Sequence, residues 1–224
     1  MYSSLEELCC EAEEKNCALW ELVLQDDMQQ RGVSRRDSFA ATKALYLTMK
    51  KADEDYEQEL LSHSRLVGGD GEKLARARRE GWLYCGDFIG HVMETAVKMG
   101  ESNACMKKIV AAPTAGSCGV MPAVLLNLQR EKGFTDDRMT EAMFVAAGIG
   151  GVIANRAFLA GASGGCQAEI GSASAMAAGA AAYLAGGDAR RIAAAAALAL
   201  KSLLGLACDP VAGLVEIPCV KRNV

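Results

Sequence analysis

The stretch SASAMAAGAAAYLAGGDARRIAAAAALALKSLLGL, residues 172–206, decides the fold class of this chain. It holds two alanine-rich segments, and alanine has the highest helix propensity of all residues. Gly186 and Gly187 end the first predicted helix, and Asp188 caps a second helix that runs to about Leu206. Because small side chains let helix axes approach closely, the stretch predicts helices packed on helices rather than on a sheet.

The composition of the 224 residues supports the same fold class. Apolar residues make up 51% of the chain but aromatic residues only 5%, so the core must consist mainly of small and aliphatic side chains. No segment alternates between apolar and polar residues with the period of two that marks a strand. We therefore predict an all-α fold, a compact domain of many helices whose glycine-rich loops at helix N-termini form the functional pocket.

Charge and the N-terminal sequence limit the partners and the location of the chain. A formal net charge of -4 argues against nucleic acid as a partner, since phosphate binding requires a basic surface. The basic run 73–79 lies among helix-forming residues and is interpreted as a solvated face. The start MYSSLEELCCEAEE lacks the apolar run of a signal peptide, and the apolar stretch 192–200 is too short to span a membrane. We expect a cytoplasmic protein with no membrane partner, whose nine cysteines are thiols, metal ligands or catalytic groups.

Helix start signals organise the first third of the chain. Serines near the N-terminus cap a helix that ends near Asn16, and Ser34 opens a long helix without internal glycine or proline that runs to about Ser62. Three further helices are predicted at about 86–108, 119–130 and 136–158. We expect residues 1–61 to form a helical segment that packs on a catalytic core of residues 62–224.

Three glycine-rich loops each open a predicted helix, at residues 62–71, 111–119 and 161–172. Such a junction presents free backbone N–H groups and the positive end of a helix dipole. If the three loops converge, they form a pocket suited to a small anion such as a carboxylate. The last stretch, residues 208–223, holds two prolines and is predicted to be irregular.

The two histidines do not indicate a familiar catalytic motif. His91 falls inside a predicted helix and is interpreted as structural, whereas His63 lies between Ser62 and Ser64 in a loop and is a candidate for facing a substrate. The chain has no G-x-S-x-G motif of a serine hydrolase and no C-x-x-C or H-E-x-x-H motif of a zinc site. Ferredoxin-type cysteine spacing is absent as well.

Three cysteines lie in unusual surroundings for structural thiols. Cys166, Cys208 and Cys219 each stand in a loop beside glycine or proline, whereas a buried structural cysteine prefers an apolar helix face. Sulfurs that bind one metal centre must converge from different backbone segments, which loops allow. The spacing alone leaves two interpretations, a metal site or unrelated loop thiols. Cys118 also lies in a loop, at a helix start that could lower its pKa. The remaining helical cysteines, such as Cys85, are interpreted as packing residues.

At these loops the sequence resembles the iron–sulfur-dependent bacterial L-serine dehydratases. The likeness is carried by GGCQAEIGSASAMAA (164–178), LGLACDPVAGLVEIPCVKRN (204–223) and APTAGSCGVMPAVL (112–125), in the order and spacing of that family's signature segments. VGGDGEKL (67–74) resembles the Gly-Gly-Asp loop that precedes them in the family's α subunit. The likeness runs from about Ser62 to the end and is weaker in the N-terminal helices.

The resemblance implies a [4Fe–4S] cluster held by Cys166, Cys208 and Cys219. A cluster with three protein ligands keeps one iron open, and the open iron acts as a Lewis acid on the β-hydroxyl of L-serine. Removal of the α-proton and loss of hydroxide then give aminoacrylate, which hydrolyses to pyruvate and ammonia. The chain is thus expected to be a lyase.

Other roles are assigned through the matching loops. The substrate carboxylate is expected to meet loop hydroxyl and N–H groups, with the candidates Ser62, Gly68, Gly69, Thr114, Ala115, Gly116 and Ser117. Three groups are expected to orient the ligands or tune the cluster, namely Gln167, Glu169 and Asp209, the last as a cap for the turn after Cys208. His63, Ser64 and Cys118 are the candidates for the general base, and the sequence does not decide among them.

Departures from the family pattern keep alternatives open. Where the family has Asn-Ala-Ser-Ile-Ser-Gly, residues 156–161 read RAFLAG, which lack two hydroxyls and an amide. The C-terminal part of the family's α domain is expected to be missing after Val224, and a separate β subunit is implied as partner. An L-cysteine desulfidase, a non-catalytic helical subunit without a cluster and a structural zinc domain are the alternatives.

Overall fold

A computed structural model describes residues 2–211, 213–214 and 216–224, and these residues form a helical domain. Within them lie eleven α-helices: α1 (Leu5–Glu14), α2 (Leu19–Arg31), α3 (Arg35–Glu54), α4 (Asp70–Arg79), α5 (Gly86–Ala104), α6 (Val120–Lys132), α7 (Asp136–Arg156), α8 (Gly161–Cys166), α9 (Ser172–Leu184), α10 (Ala189–Ser202) and α11 (Ile217–Lys221). A 3-10 turn covers Ala115–Ser117, and a π-helix, Gln167–Gly171, joins α8 to α9. The described residues contain no strand beyond one isolated bridge between Val211 and Leu214. The predicted all-α fold is confirmed.

Helices α7 and α9 form the centre of the domain, where α9 packs against α6, α7 and α10. Glycines bring these two helices close together. A Cβ atom at Gly179 of α9 would overlap Cδ1 of Ile149 on α7, and one at Gly150 would lie 2.9 Å from the Met176 sulfur. Close helix packing through small residues, as expected from the sequence, is therefore found at the centre of the core.

The N-terminal helices cover one side of this centre. Helices α2 and α3 both pack on α7, and α1 packs on α10. The main apolar cluster includes Leu8, Leu22 and Tyr46 from these helices together with Ile149 and Ile192 from later ones. Residues 5–54 thus share their core with the later helices, and a boundary at residue 61 stays a prediction.

The predicted end of α3 and the predicted irregular structure of the C-terminal stretch are wrong. Helix α3 ends at Glu54, not near Ser62, because the chain turns away to bring the Tyr56 hydroxyl within 2.6 Å of Oε2 of Glu101 on α5. The C-terminal stretch is not wholly irregular, since α11 forms with Pro218 in its first turn, where a proline costs no helix hydrogen bond. Both departures depend on contacts distant in sequence, which local propensity does not report.

No single helix among the described residues is long and apolar enough to cross a bilayer. The pair formed by α7 and the segment Gly161–Leu184 meets the length and composition criteria together, but its two arms are bent by 76°.

The N-terminus of α7 offers a test of the local helix signals. The Thr135 side chain accepts a hydrogen bond from the backbone N–H of Arg138 and so caps this helix. Thr135→Ala should lower the free energy of unfolding by about 1 kcal/mol, as measured by urea denaturation. The control is Thr48→Ala, since Thr48 bonds back to the Ala44 carbonyl within α3 and its loss should be neutral or slightly stabilising. Equal destabilisation by the two variants would contradict the capping role.

Candidate functional site

The segments that carry Cys166 and Cys208 lie against each other. Gly165 takes a left-handed φ of 69° at the kink before Cys166, a conformation that favours glycine. A Cβ atom at Gly165 would lie 3.5 Å from the Leu206 carbonyl oxygen and 3.7 Å from the Cys208 nitrogen. The kink therefore brings the backbone beside Cys166 onto the backbone that leads into Cys208.

Cys219 completes the group of thiols from α11. Burial raises the pKa of the Cys219 thiol to about 11, and Cys166, Glu169 and Cys208 add to the rise through their negative charge. Cys166 and Cys208 are therefore near enough to act electrostatically on the Cys219 thiol. All three are free thiols, with Cys166 buried, Cys219 half-buried and Cys208 exposed.

The chemistry of these donors fits an iron–sulfur cluster better than a single ion. In the described part of the chain, no three His, Cys, Asp or Glu side chains are close enough to hold one metal ion. Thiolates of an iron–sulfur cluster bind different irons, so their sulfurs stand farther apart than ligands of one ion. Soft thiolate donors also favour iron–sulfur clusters over the hard cations.

Asn223 joins the helix of Cys219 to the loop 114–119 and was not anticipated from the sequence. Its side chain is 4% exposed. Its Oδ1 accepts a hydrogen bond from the Gly119 N–H at 2.8 Å. Its Nδ2 donates to the carbonyls of Gly116 at 3.0 Å and Cys219 at 2.8 Å. One buried amide thereby fixes the loop relative to the ligand helix.

Two further side chains hold the loop that carries Cys208. Arg222 donates to the Ala207 carbonyl at 2.5 Å and pairs with the Asp209 carboxylate at 2.7 Å. The Gln167 Oε1 accepts a hydrogen bond from the Gly205 N–H at 2.9 Å. Asp209 was expected to cap the turn after Cys208, but its partner is Arg222, because α11 folds back onto this loop.

The hydroxyls of the loop 62–67 are bonded to a carboxylate of the protein itself. Ser62 and Ser64 donate to Oε2 of Glu216 at 2.6 and 2.5 Å. These bonds, with a smaller effect of His63, hold the pKa of the Glu216 carboxyl below its usual value. His63 itself is exposed. Ser62, a predicted substrate contact, and Ser64, a candidate base, therefore connect their loop to the start of α11.

The loop before α4 is shaped by its own backbone and is not an open anion site. Gly68 has a φ of 142°, and a Cβ atom there would overlap the Leu60 carbonyl oxygen. Gly69, at the N-cap of α4, has a left-handed φ of 79°. The next two N–H groups, of Asp70 and Gly71, donate to the buried Glu101 carboxylate at 2.7 and 3.1 Å. The predicted anion-binding end of this helix is thus filled by the protein, and the idea of three open loop sites is wrong for this one.

The loop of Thr114 to Ser117 folds as a 3-10 turn with its hydroxyls bonded to one another. Thr114 Oγ1 and Ser117 Oγ lie 3.1 Å apart, and Ser117 is buried. Ala115 is exposed and its carbonyl accepts a bond from the Asn103 amide at 3.1 Å. Gly116 lies between Asn223 and the side chain of Glu169.

Cys118 is enclosed in an apolar environment. Its side chain is 1% exposed and packs with Ala52 and Met99. Burial raises the pKa of the Cys118 thiol to about 12, and its S–H donates to the Met99 carbonyl at 3.6 Å. These properties favour a packing role over that of a base.

The segment 156–161, which departs from the family pattern, lies at the surface. Helix α7 ends at Arg156, whose guanidinium donates to the Ser3 carbonyl at 3.4 Å. Phe158 is 74% exposed. Gly161 then begins α8, five residues before Cys166.

Comparisons with known proteins agree along the length of the chain. The serine dehydratase alpha chain family matches residues 14–224. A probable L-serine dehydratase alpha chain of Bacillus subtilis is 40% identical over 223 residues, which are 100% of this chain and 74% of that protein. The L-serine dehydratase alpha chain of Peptoniphilus asaccharolyticus is 35% identical over 224 residues, 100% of this chain and 77% of the relative. L-serine dehydratase TdcG of Escherichia coli is 43% identical over 129 residues, 57% of this chain but 28% of that longer protein.

Proposed function

Because the chain belongs to the serine dehydratase alpha chain family, we propose that it is the α chain of an enzyme that converts L-serine to pyruvate and ammonia. The chain is a lyase by this membership. The observation that carries the proposal is that the backbone beside Cys166 lies against the backbone leading into Cys208. Cys219 is near enough for both residues to act on its thiol. These are the three positions that the resemblance assigns to cluster ligands.

Cys166, Cys208 and Cys219 would hold a [4Fe–4S] cluster as thiolates. When bound, the cluster supplies a Lewis acid at the iron that has no cysteine ligand, which lowers the barrier to loss of the substrate hydroxyl. Without metal, burial and neighbouring negative charge keep the Cys219 thiol protonated. Cluster binding would release its proton, as expected for a ligand site that forms only with its metal.

The surrounding residues would hold the ligating cysteines and the proposed substrate loop in fixed positions relative to each other. Gln167 and Arg222 hold the loop of Cys208, and Asn223 fixes the loop 114–117 beside the ligand helix. That loop is our candidate for the substrate carboxylate, since its hydroxyls and the start of α6 lie together. His63, exposed and next to Ser62 and Ser64, remains the candidate base, and a base from a partner chain is equally compatible.

A second chain is proposed to complete the active site. The relatives from Bacillus subtilis and Peptoniphilus asaccharolyticus are named alpha chains, and the match covers only 28% of the longer relative from Escherichia coli. We infer that a β chain supplies the remaining substrate contacts. We also propose that the enzyme works in the reducing cytoplasm, where its cysteines stay free for ligation.

Elimination of sulfide from L-cysteine is the second candidate function. The observation that favours it is the segment 156–161, where two hydroxyls and one amide of the family pattern are replaced and Phe158 is exposed. This change lies five residues before Cys166, where it could alter the choice of leaving group.

The test is anaerobic purification with the β chain, reconstitution with iron and sulfide, and assays with both amino acids. We expect the brown chromophore of an iron–sulfur cluster and pyruvate from L-serine. Sulfide release from L-cysteine without turnover of L-serine would favour the second candidate. Failure to bind iron and acid-labile sulfide would contradict both and indicate a non-catalytic subunit.

A further inference from the structure

The carboxylate of Glu169 lies in a cradle formed by two glycines. A Cβ atom at Gly116 would come within 2.7 Å of Glu169 Oε2, and one at Gly161 within 2.5 Å of the same atom. An alanine at either position would displace the carboxylate, so the absence of both side chains makes room for it. Gly116 belongs to the loop 114–117, and Glu169 is on the π-helix that follows Cys166. The carboxylate therefore lies between the proposed substrate loop and the proposed cluster ligands.

The Glu169 carboxylate lacks a cationic partner in the described part of the chain. Its oxygens take part in no hydrogen bond or ion pair among those residues. Arg222, the cation at the end of α11, is already bonded to the Ala207 carbonyl and the Asp209 carboxylate.

The Glu169 carboxylate is half-buried, and a cation that joins it there would stabilise it. The substrate of the proposed reaction brings such a cation, since an amino acid carries an α-ammonium next to its carboxylate. If the loop 114–117 holds the substrate carboxylate, the ammonium group lies within reach of a side chain that contacts Gly116. The cradle and the missing counter-charge point to the same ligand group.

We propose that Glu169 binds the α-ammonium group of the substrate and so selects amino acids over the corresponding hydroxy acids. This assignment rests on the proposed function and goes beyond it, because it names the group that recognises the substrate as an amino acid. Glu169 was anticipated from the sequence only as a residue that orients a ligand or tunes the cluster.

The test compares L-serine with L-glycerate, which has a hydroxyl in place of the ammonium group, on the reconstituted enzyme with its β chain. Glu169→Gln should weaken L-serine binding by roughly 10- to 100-fold, as for the loss of one charge-assisted hydrogen bond. L-glycerate binding should stay the same or improve, because a negative charge has been removed. Binding is followed through the change that each ligand causes in the spectrum of the cluster, and iron content should match the wild type. The exposed Glu131→Gln variant on α6 is the matched control.

Gly161→Ala provides a second route if Glu169→Gln does not fold. The φ of Gly161 is not left-handed, so alanine is compatible with the backbone, and its Cβ would push the carboxylate aside. It should also weaken L-serine binding more than L-glycerate binding. Unchanged L-serine affinity in Glu169→Gln, or equal weakening of both ligands, would overturn the assignment while leaving the proposed function in place. A wild-type enzyme that binds a cluster but no L-serine would instead refute the proposed function, and the assignment would fall with it.

Discussion

Replacing Cys208 with alanine should abolish the iron–sulfur chromophore and pyruvate formation together. Cys208 is one of three proposed thiolate ligands, and two cysteines do not retain a cluster that already has one open iron. We expect iron and acid-labile sulfide to fall to background after anaerobic reconstitution, and turnover of L-serine to fall below detection.

The structure makes this variant a clean test of ligation. Cys208 is exposed, so the loss of its sulfur should not create a cavity, and the metal-free variant should unfold at the wild-type urea concentration. Cys85→Ala is the matched control, because Cys85 is also exposed but lies before α5 and away from the site. Retention of the cluster by Cys208→Ala, or its loss in Cys85→Ala, would contradict the ligand assignment.

Asn223→Ala should cause a marked loss of stability. The substitution leaves the Gly119 N–H and the carbonyls of Gly116 and Cys219 without their side-chain partner in a buried position. Each unsatisfied buried group costs roughly 1–3 kcal/mol. Urea denaturation should show a clear loss of free energy of unfolding, and cluster content should fall because α11 is no longer fixed to the loop 114–119.

Asn103→Ala is the control for the Asn223 variant. Asn103 also bonds to the loop, through the Ala115 carbonyl, but this bond is single and exposed. Its removal should cost less than about 1 kcal/mol and leave cluster content unchanged. Equal effects of the two variants would show that Asn223 does not hold the ligand helix in place.

The alanine-rich helices α9 and α10 were predictable because their signals are local. Alanine content and the Asp188 cap define α10, and the side chain of Asp188 does accept a hydrogen bond from the Arg191 N–H. The end of α3 was not predictable, because Tyr56 is drawn to Glu101, 45 residues later. Helix α11 was missed because Pro218 suggested irregular structure, although a proline is acceptable in a first turn.

The resemblance identified the cysteines of the site, but the prediction that all three stand in loops was wrong, since Cys166 ends α8 and Cys219 lies in α11. The groups that hold these segments were not predicted. Arg222, Asn223 and Glu216 act on segments 13 to 154 residues away, as in the pairs Arg222–Asp209 and Glu216–Ser62. The sequence did contain a signal for these groups, since all three polar residues lie near Cys219 in the segment 216–223. Their partners could not be read from it, because a sequence does not state which loop α11 meets.

The filled end of α4 shows a different limit of sequence reasoning. A glycine-rich loop before a helix predicts an anion site, and the N–H groups of Asp70 and Gly71 do bind a carboxylate. That carboxylate belongs to Glu101 of the same chain. The loop pattern thus predicted correctly that an anion binds here, but only the structure shows that this anion is a side chain of the same protein.

The most direct test of the account is Mössbauer spectroscopy of the 57Fe-reconstituted enzyme with its β chain, before and after addition of L-serine. If Cys166, Cys208 and Cys219 hold a cluster with one open iron, the signal of one iron should shift when L-serine binds while the other irons stay unchanged. A cluster whose irons all keep the same signal in saturating L-serine, or a chain that retains no iron, would contradict the central claim.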